Sequence, residues 1–110
     1  MIERTGECLA RVEVAATPSS RRKGLLGRDR LEPGTGLLLR PCASIHTWFM
    51  RFAIDVVFLD GERAVVKLVR DVRPFSVVWG GRAARDTLEL PAGALAGVDL
   101  DIGDRLRLDD

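Results

Sequence analysis

The chain of 110 residues is 46% hydrophobic and 30% charged, which fits one globular domain over residues 1–110. A domain of that size hides roughly two-thirds of its unfolded surface. Seventeen basic against sixteen acidic residues leave a net charge of +1, without the cationic surplus of a domain that works by neutralising phosphates, so nucleic acid is not expected as a main partner.

The opening MIERTGECLARVEVA has no apolar stretch followed by a small-residue cleavage site, and no run nears the ~18 apolar residues of a membrane span. A soluble, cytoplasmic protein with no membrane partner is expected, although a leader removed beforehand leaves no trace. Cys8 and Cys42 are too few for a disulfide framework, and with His46 they sit at spacings unlike a structural zinc site. Two reduced, mostly buried thiols follow, with no metal and no cofactor.

Leu9 to Ala15 alternates as a first strand, Val12 and Val14 facing one way and Arg11 and Glu13 the other. Thr17 as N-cap and Pro18 at the first helical position open a short helix running to about Leu26, with Gly27 as its stop. Glu32, Pro33, Gly34 and Gly36 make a loop into a brief strand, Leu37 to Leu39, which ends at Pro41.

Thr47 to Leu59 reads two ways. As one strand it puts Trp48, Met50, Phe52, Ile54, Val56 and Phe58 on an apolar face, and Arg51 and Asp55 on the other about 13 Å apart. Thirteen residues exceed the usual strand of roughly five or six, which favours a break near Arg51 to Ala53. Asp60 and Gly61 then form a hairpin turn into a second β-rich run, Ala64 to Val72, which Pro74 ends. Val77 to Trp79 is a short strand, and Gly80 with Gly81 a break. Thr87 to Leu90 alternates into Pro91, Ala92 to Gly97 has room for one helical turn, and after a turn at Gly103 and Asp104 the run Arg105 to Leu108 closes the fold with Leu106 and Leu108 inward. These short, evenly spaced strands predict a mainly β fold, a small antiparallel β-sandwich or partly closed barrel with one or two short helices.

Four motifs stand in order along nearly the whole chain: RRKGL at Arg21 to Leu25, His46 to Asp55 leading into VVFLD, LELPAG at Leu88 to Gly93, and GD at Gly103 and Asp104. Together they resemble the prokaryotic proteins grouped as domain of unknown function 192. The resemblance implies a compact β fold of jelly-roll character and carries no established activity. Ala53 departs from that family's pattern, which usually has proline there, and Arg73, Pro74 and Phe75 match loosely a segment that often reads proline then tryptophan.

The candidate chemistry lies in Ile45 to Asp60, where the only histidine, a tryptophan, an arginine and an aspartate interrupt an apolar run. Polar groups are costly to bury without partners, so Arg51 and Asp55 need a reason for their place. Arg51 is a fork of donors for a carboxylate or phosphate, and Asp55 an acceptor that orients it or holds a ligand hydroxyl. The structural alternative is an internal salt bridge, or a carboxylate tying down backbone N–H groups. His46 suits a general base, with Thr47 beside it and Trp48 as a stacking platform for a sugar or ring. Otherwise the histidine bonds a loop carbonyl and the tryptophan plugs the core.

Cys42 and His46 are four apart, as on one helical turn, but no third catalytic member or oxyanion hole accompanies them. The basic cluster Arg21, Arg22, Lys23, Arg28 and Arg30 either attracts an anionic partner or is a wet face. Asp99, Asp101, Asp104, Asp109 and Asp110 lack the ligand order of a calcium loop and read as solvated turns.

The reading is a monomer or weak homodimer that binds a small polar or anionic ligand, a metabolite or sugar, without transforming it. The cleft is expected near His46, Thr47, Trp48, Met50, Arg51 and Asp55, with no catalytic residue assigned. One alternative is a small hydrolase or isomerase using His46 and Asp55. The other is a protein interaction module docking through Phe75, Val77, Val78 and Trp79.

Overall fold

The computed structural model describes residues 1–17, 28–48 and 50–108. Seven strands follow in order: β1 (Arg11–Ala15), β2 (Thr35–Leu39), β3 (Ser44–His46), β4 (Ile54–Leu59), β5 (Val65–Val72), β6 (Val77–Trp79) and β7 (Asp86–Pro91). Five of them form one sheet in the order β1-β2-β7-β4-β5, and β3 with β6 makes a separate two-stranded ribbon. β1 runs parallel to β2, while the other sheet pairs are antiparallel. Every residue of β4 is buried, as a central strand covered on both faces requires, and its β-branched and aromatic side chains suit that place.

Period-two alternation sends the strands into two cores. Leu37, Leu39, Ile54, Val56 and Phe58 face one side, where Ile45 and Val78 of the ribbon and Met50 of the link before β4 pack on them. Leu38, Val57, Leu59, Leu88 and Leu90 face the other, covered by Ile2 and by Leu95, Leu100 and Leu106 of the C-terminal loops. The hairpin turn after β4 is held by Asp60, whose carboxylate accepts the Glu62 and Ala64 N–H groups at 2.8 and 2.9 Å. Those two bonds keep its pKa below the usual value.

The mainly β expectation holds, and several details differ from it. Among the described residues the sheet ends at β1 and β5 and does not close into a barrel, and the jelly-roll arrangement is not supported. No helix occurs among the described residues; the helix expected to Leu26 falls in residues 18–27, outside them. Ala92 to Gly97 forms turns rather than a helical turn. As favoured, Thr47 to Leu59 is not one strand, but only its second half is a strand, β4; the described residues among 47–53 form no strand, and β3 (Ser44–His46) precedes the run rather than forming its first half. The closing strand shrinks to two isolated bridges, Ile2 with Leu106 and Ala64 with Arg105, and Leu108 is 37% exposed instead of inward. Cys8 is exposed because it precedes the sheet rather than entering it, while Cys42 is partly buried, and neither forms a disulfide. No helix among the described residues is long and apolar enough to cross a membrane.

Candidate functional site

The ribbon pairs Ser44 with Trp79, Ile45 with Val78 and His46 with Val77. Because Ile45 and Val78 turn into the core, Ser44, His46, Val77 and Trp79 take the outer face. Trp48 lies just beyond β3, and its ring sits 5.7 Å from the His46 ring at a 46° tilt. Trp48 is 49% exposed, Trp79 58%, Val77 67% and Phe75 69%, a concentration of large apolar side chains in solvent that folding alone does not call for.

Thr47 and Met50 point the other way. Thr47 is fully buried; its Oγ1 donates to the Arg73 carbonyl at 2.6 Å and accepts the Ser76 N–H at 2.8 Å, which fixes the turn leading into β6. Met50 belongs to the core beneath the ribbon. Neither is open to a ligand, so of the segment's candidates only His46, Trp48 and Arg51 are.

Arg51 and Asp55 do not meet. Arg51 is exposed and paired with Asp29, a partner not foreseen from the sequence because it lies 22 residues upstream. Asp55 sits on the opposite side of β4, 1% exposed, with Leu90 as its neighbour across the ladder. Its Oδ1 accepts the Asp71 N–H at 2.9 Å and its Oδ2 accepts Gly93 and Leu95 N–H groups at 3.1 and 3.0 Å. Three backbone donors, one from the end of β5 and two from the loop after β7, converge on one carboxylate, which is the structural alternative to a ligand-binding Asp55. This also gives LELPAG its role: Gly93, at φ 89°, turns the loop so that its N–H reaches the carboxylate.

The enzyme alternative loses its pair for the same reason. His46 has no carboxylate partner among the described residues, and Asp55 lies buried on the other side of the sheet. Cys42 lies in the link before β3 and His46 in β3 itself, so no helical turn brings them together, and the Cys42 thiol donates to the Ser44 carbonyl at 3.0 Å. Among the described residues no group of three or more His, Cys, Asp or Glu is arranged to hold a metal.

One ionisable group went unremarked in the sequence. Glu89 in the middle of β7 is 4% exposed, and burial pushes its carboxyl up to about 7, with Arg28 pulling it back down. Thr87 and Glu89 alternate with Leu88 and Leu90, and both sides of β7 are buried because the sheet carries a core on each face.

Residues 1–108 match the family model DUF192, described as an uncharacterized ACR. The chain belongs to the DUF192 family. Similar to this DUF192 chain are UPF0127 proteins of Thermococcus sibiricus, 38% identical over 87% of this chain and 64% of the relative, and of Pyrococcus abyssi, 33% identical over 87% and 84%. The chain thus spans less than two-thirds of the Thermococcus sibiricus protein. Among solved structures, a protein of unknown function from Novosphingobium aromaticivorans shares the fold at a TM-score of 0.81 and 22% identity, over 90% of this chain and 75% of that one. A candidate transcription regulator from Sinorhizobium meliloti follows at a TM-score of 0.77 and 26% identity, over 87% and 79%.

Proposed function

We propose that the protein is a binding domain that takes a small polar ligand bearing a ring, a sugar or ring metabolite, on the outer face of the β3–β6 ribbon. The observation that carries this reading is the pairing of the chain's only histidine with an exposed tryptophan at 5.7 Å, with the second tryptophan exposed on the same ribbon face. A flat apolar ring stacks on tryptophan while its edge groups seek donors and acceptors, which the imidazole beside it supplies. Arg51, three residues beyond Trp48 and exposed, is the cation for an anionic substituent, in exchange for Asp29. Asp55 is left out of the binding set, since both its oxygens are occupied. Among the described residues His46 has no carboxylate beside it, and no reaction is assigned to the face.

Ligand-observed NMR against a panel of oligosaccharides and ring metabolites tests the reading. Binding to a panel member that is lost in Trp48→Ala and weakened in His46→Ala supports it; binding that survives both substitutions removes it.

The interaction-module reading is favoured by one specific observation, the adjacency of Phe75, Val77 and Trp79, each more than half exposed. Concentration-dependent self-association abolished by Trp79→Ser, with no ligand found, would move the assignment there.

A further inference from the structure

A concavity of about 330 Å³ opens over the other end of the sheet, against β1, β2 and the segment that leads into β2. That volume falls at the lower end of the ~300–1,000 Å³ of small-molecule sites. By contrast, the apolar hollow between Leu9, Leu38, Leu88 and Leu106 has about 30 Å³, room for a water or two and not for a metabolite.

Arg11, Glu13, Arg28, Arg30, Glu32 and Thr35 supply the polar lining of the larger concavity. The register sets Arg11 directly beside Thr35, and Glu13 beside Leu37 on the same face. Both carboxylates of the lining are already matched: Glu13 with Arg28 at 3.2 Å and Glu32 with Arg30 at 2.9 Å. The Arg11 guanidinium has no such match among the described residues, so the lining carries one positive charge in excess. The acid nearest beneath is Glu89, two strands in from Glu13 on that face and roughly 10 Å from it. Burial raises the Glu89 carboxyl to about 7, so near neutral pH it is only partly charged and repels an incoming anion less than an ordinary carboxylate does.

We propose that this concavity is a second binding site, for a small oxyanion such as a carboxylate or phosphate, with Arg11 as the cation that receives it and Thr35 and Arg28 at its sides. An oxyanion matches the planar donor fork of arginine, and it completes the charge balance that the two internal ion pairs leave open. The site lies across the sheet from Asp55 and apart from the ribbon, so it stands or falls independently of the reading given above.

The test is titration of inorganic phosphate, and separately of malonate, into 15N-labelled protein at constant ionic strength with chloride as the control. Saturable amide shifts centred on Arg11, Glu13, Arg28 and Thr35, with an affinity that drops about tenfold in Arg11→Gln, are expected. The two probes separate a phosphate site from a carboxylate site. Shifts that never saturate, that centre on the ribbon, or that are unchanged in Arg11→Gln overturn the proposal. Arg11 is exposed at the sheet edge, so the variant keeps the fold, and unchanged Trp48 and Trp79 indole resonances verify that it has.

Discussion

At the scale of single residues, two buried carboxylates on adjacent strands have contrasting surroundings. Asp55 accepts three backbone N–H groups, whereas Glu89 has apolar neighbours in Leu37 and Val56 and, among the described residues, Arg28 for support. Removing Asp55 leaves those donors unmatched, and each unsatisfied buried group costs about 1–3 kcal/mol. Asp55→Ala is therefore expected to lose on the order of 3 kcal/mol or more in urea unfolding; a loss under about 1 kcal/mol would mean that water replaces the carboxylate readily.

Glu89 gives a pH signature whose sign is fixed by its raised pKa. Between its ordinary value of 4.5 and about 7 the folded chain holds a proton that the unfolded chain has released, so stability is greatest below the window and falls as pH rises through it. Two to three pKa units correspond to ~3 kcal/mol. Glu89→Gln should be more stable than the parent near pH 8 by an amount of that order, and equal to it below about pH 4.5. A parent-minus-variant difference that is flat across the window would show that the carboxylate is solvated.

At the scale of elements, the ribbon stands on a contact between glycine and phenylalanine. Gly80 follows β6 directly, and a Cβ there would run into the Phe58 ring and lie 2.8 Å from the Ala84 Cβ. Phe58 is fully buried in β4 and cannot yield, so Gly80→Ala should cost about 1–3 kcal/mol by overpacking. It should also loosen the ribbon, visible as faster amide exchange at Ile45 and Val78; parent-like exchange would contradict this.

Most strands were legible because local rules governed them. Asp60 and Gly61 fixed a hairpin, Gly80 and Gly81 a break, and length argued against a single strand over Thr47 to Leu59, whose second half is β4, while β3 at Ser44–His46 carried no local signal. The pairing of β1 with β2 in parallel was not legible, since it depends on where distant strands meet. The central place of β7 was hidden for the same reason, and with it the burial of Glu89.

For the whole molecule, the same distinction explains the candidate site. Residue types singled out the segment 46–55, and the sheet splits it: Trp48 and His46 go to solvent on one side and Asp55 is buried on the other. Arg51 was chemically readable as a cation in need of a partner, while Asp29 was invisible at 22 residues' distance.

The chain ends are tied by a comparable long-range contact. Arg4 donates to Asp104 at 2.8 Å and to Asp99 at 3.0 Å, holding the Asp104 carboxyl down at about 2 and Asp99 below its usual range. Depressed carboxyl pKa values mean that this tie is complete above about pH 4 and is lost as pH falls through about 2. Acid titration of the Asp101 amide, which donates to Asp104, should follow that course and shift to higher pH in Arg4→Gln; an unchanged midpoint would deny Arg4 the role.

The proposed ligand is one bearing a ring, received on the ribbon's aromatic face. With two tryptophans in the chain, two indole N–H resonances report on it separately. Titrating the best oligosaccharide or ring metabolite of the panel while following both is the most direct measurement: the Trp48 indole should shift and saturate with the His46 ring protons. Saturable binding that leaves both indole resonances in place would contradict it.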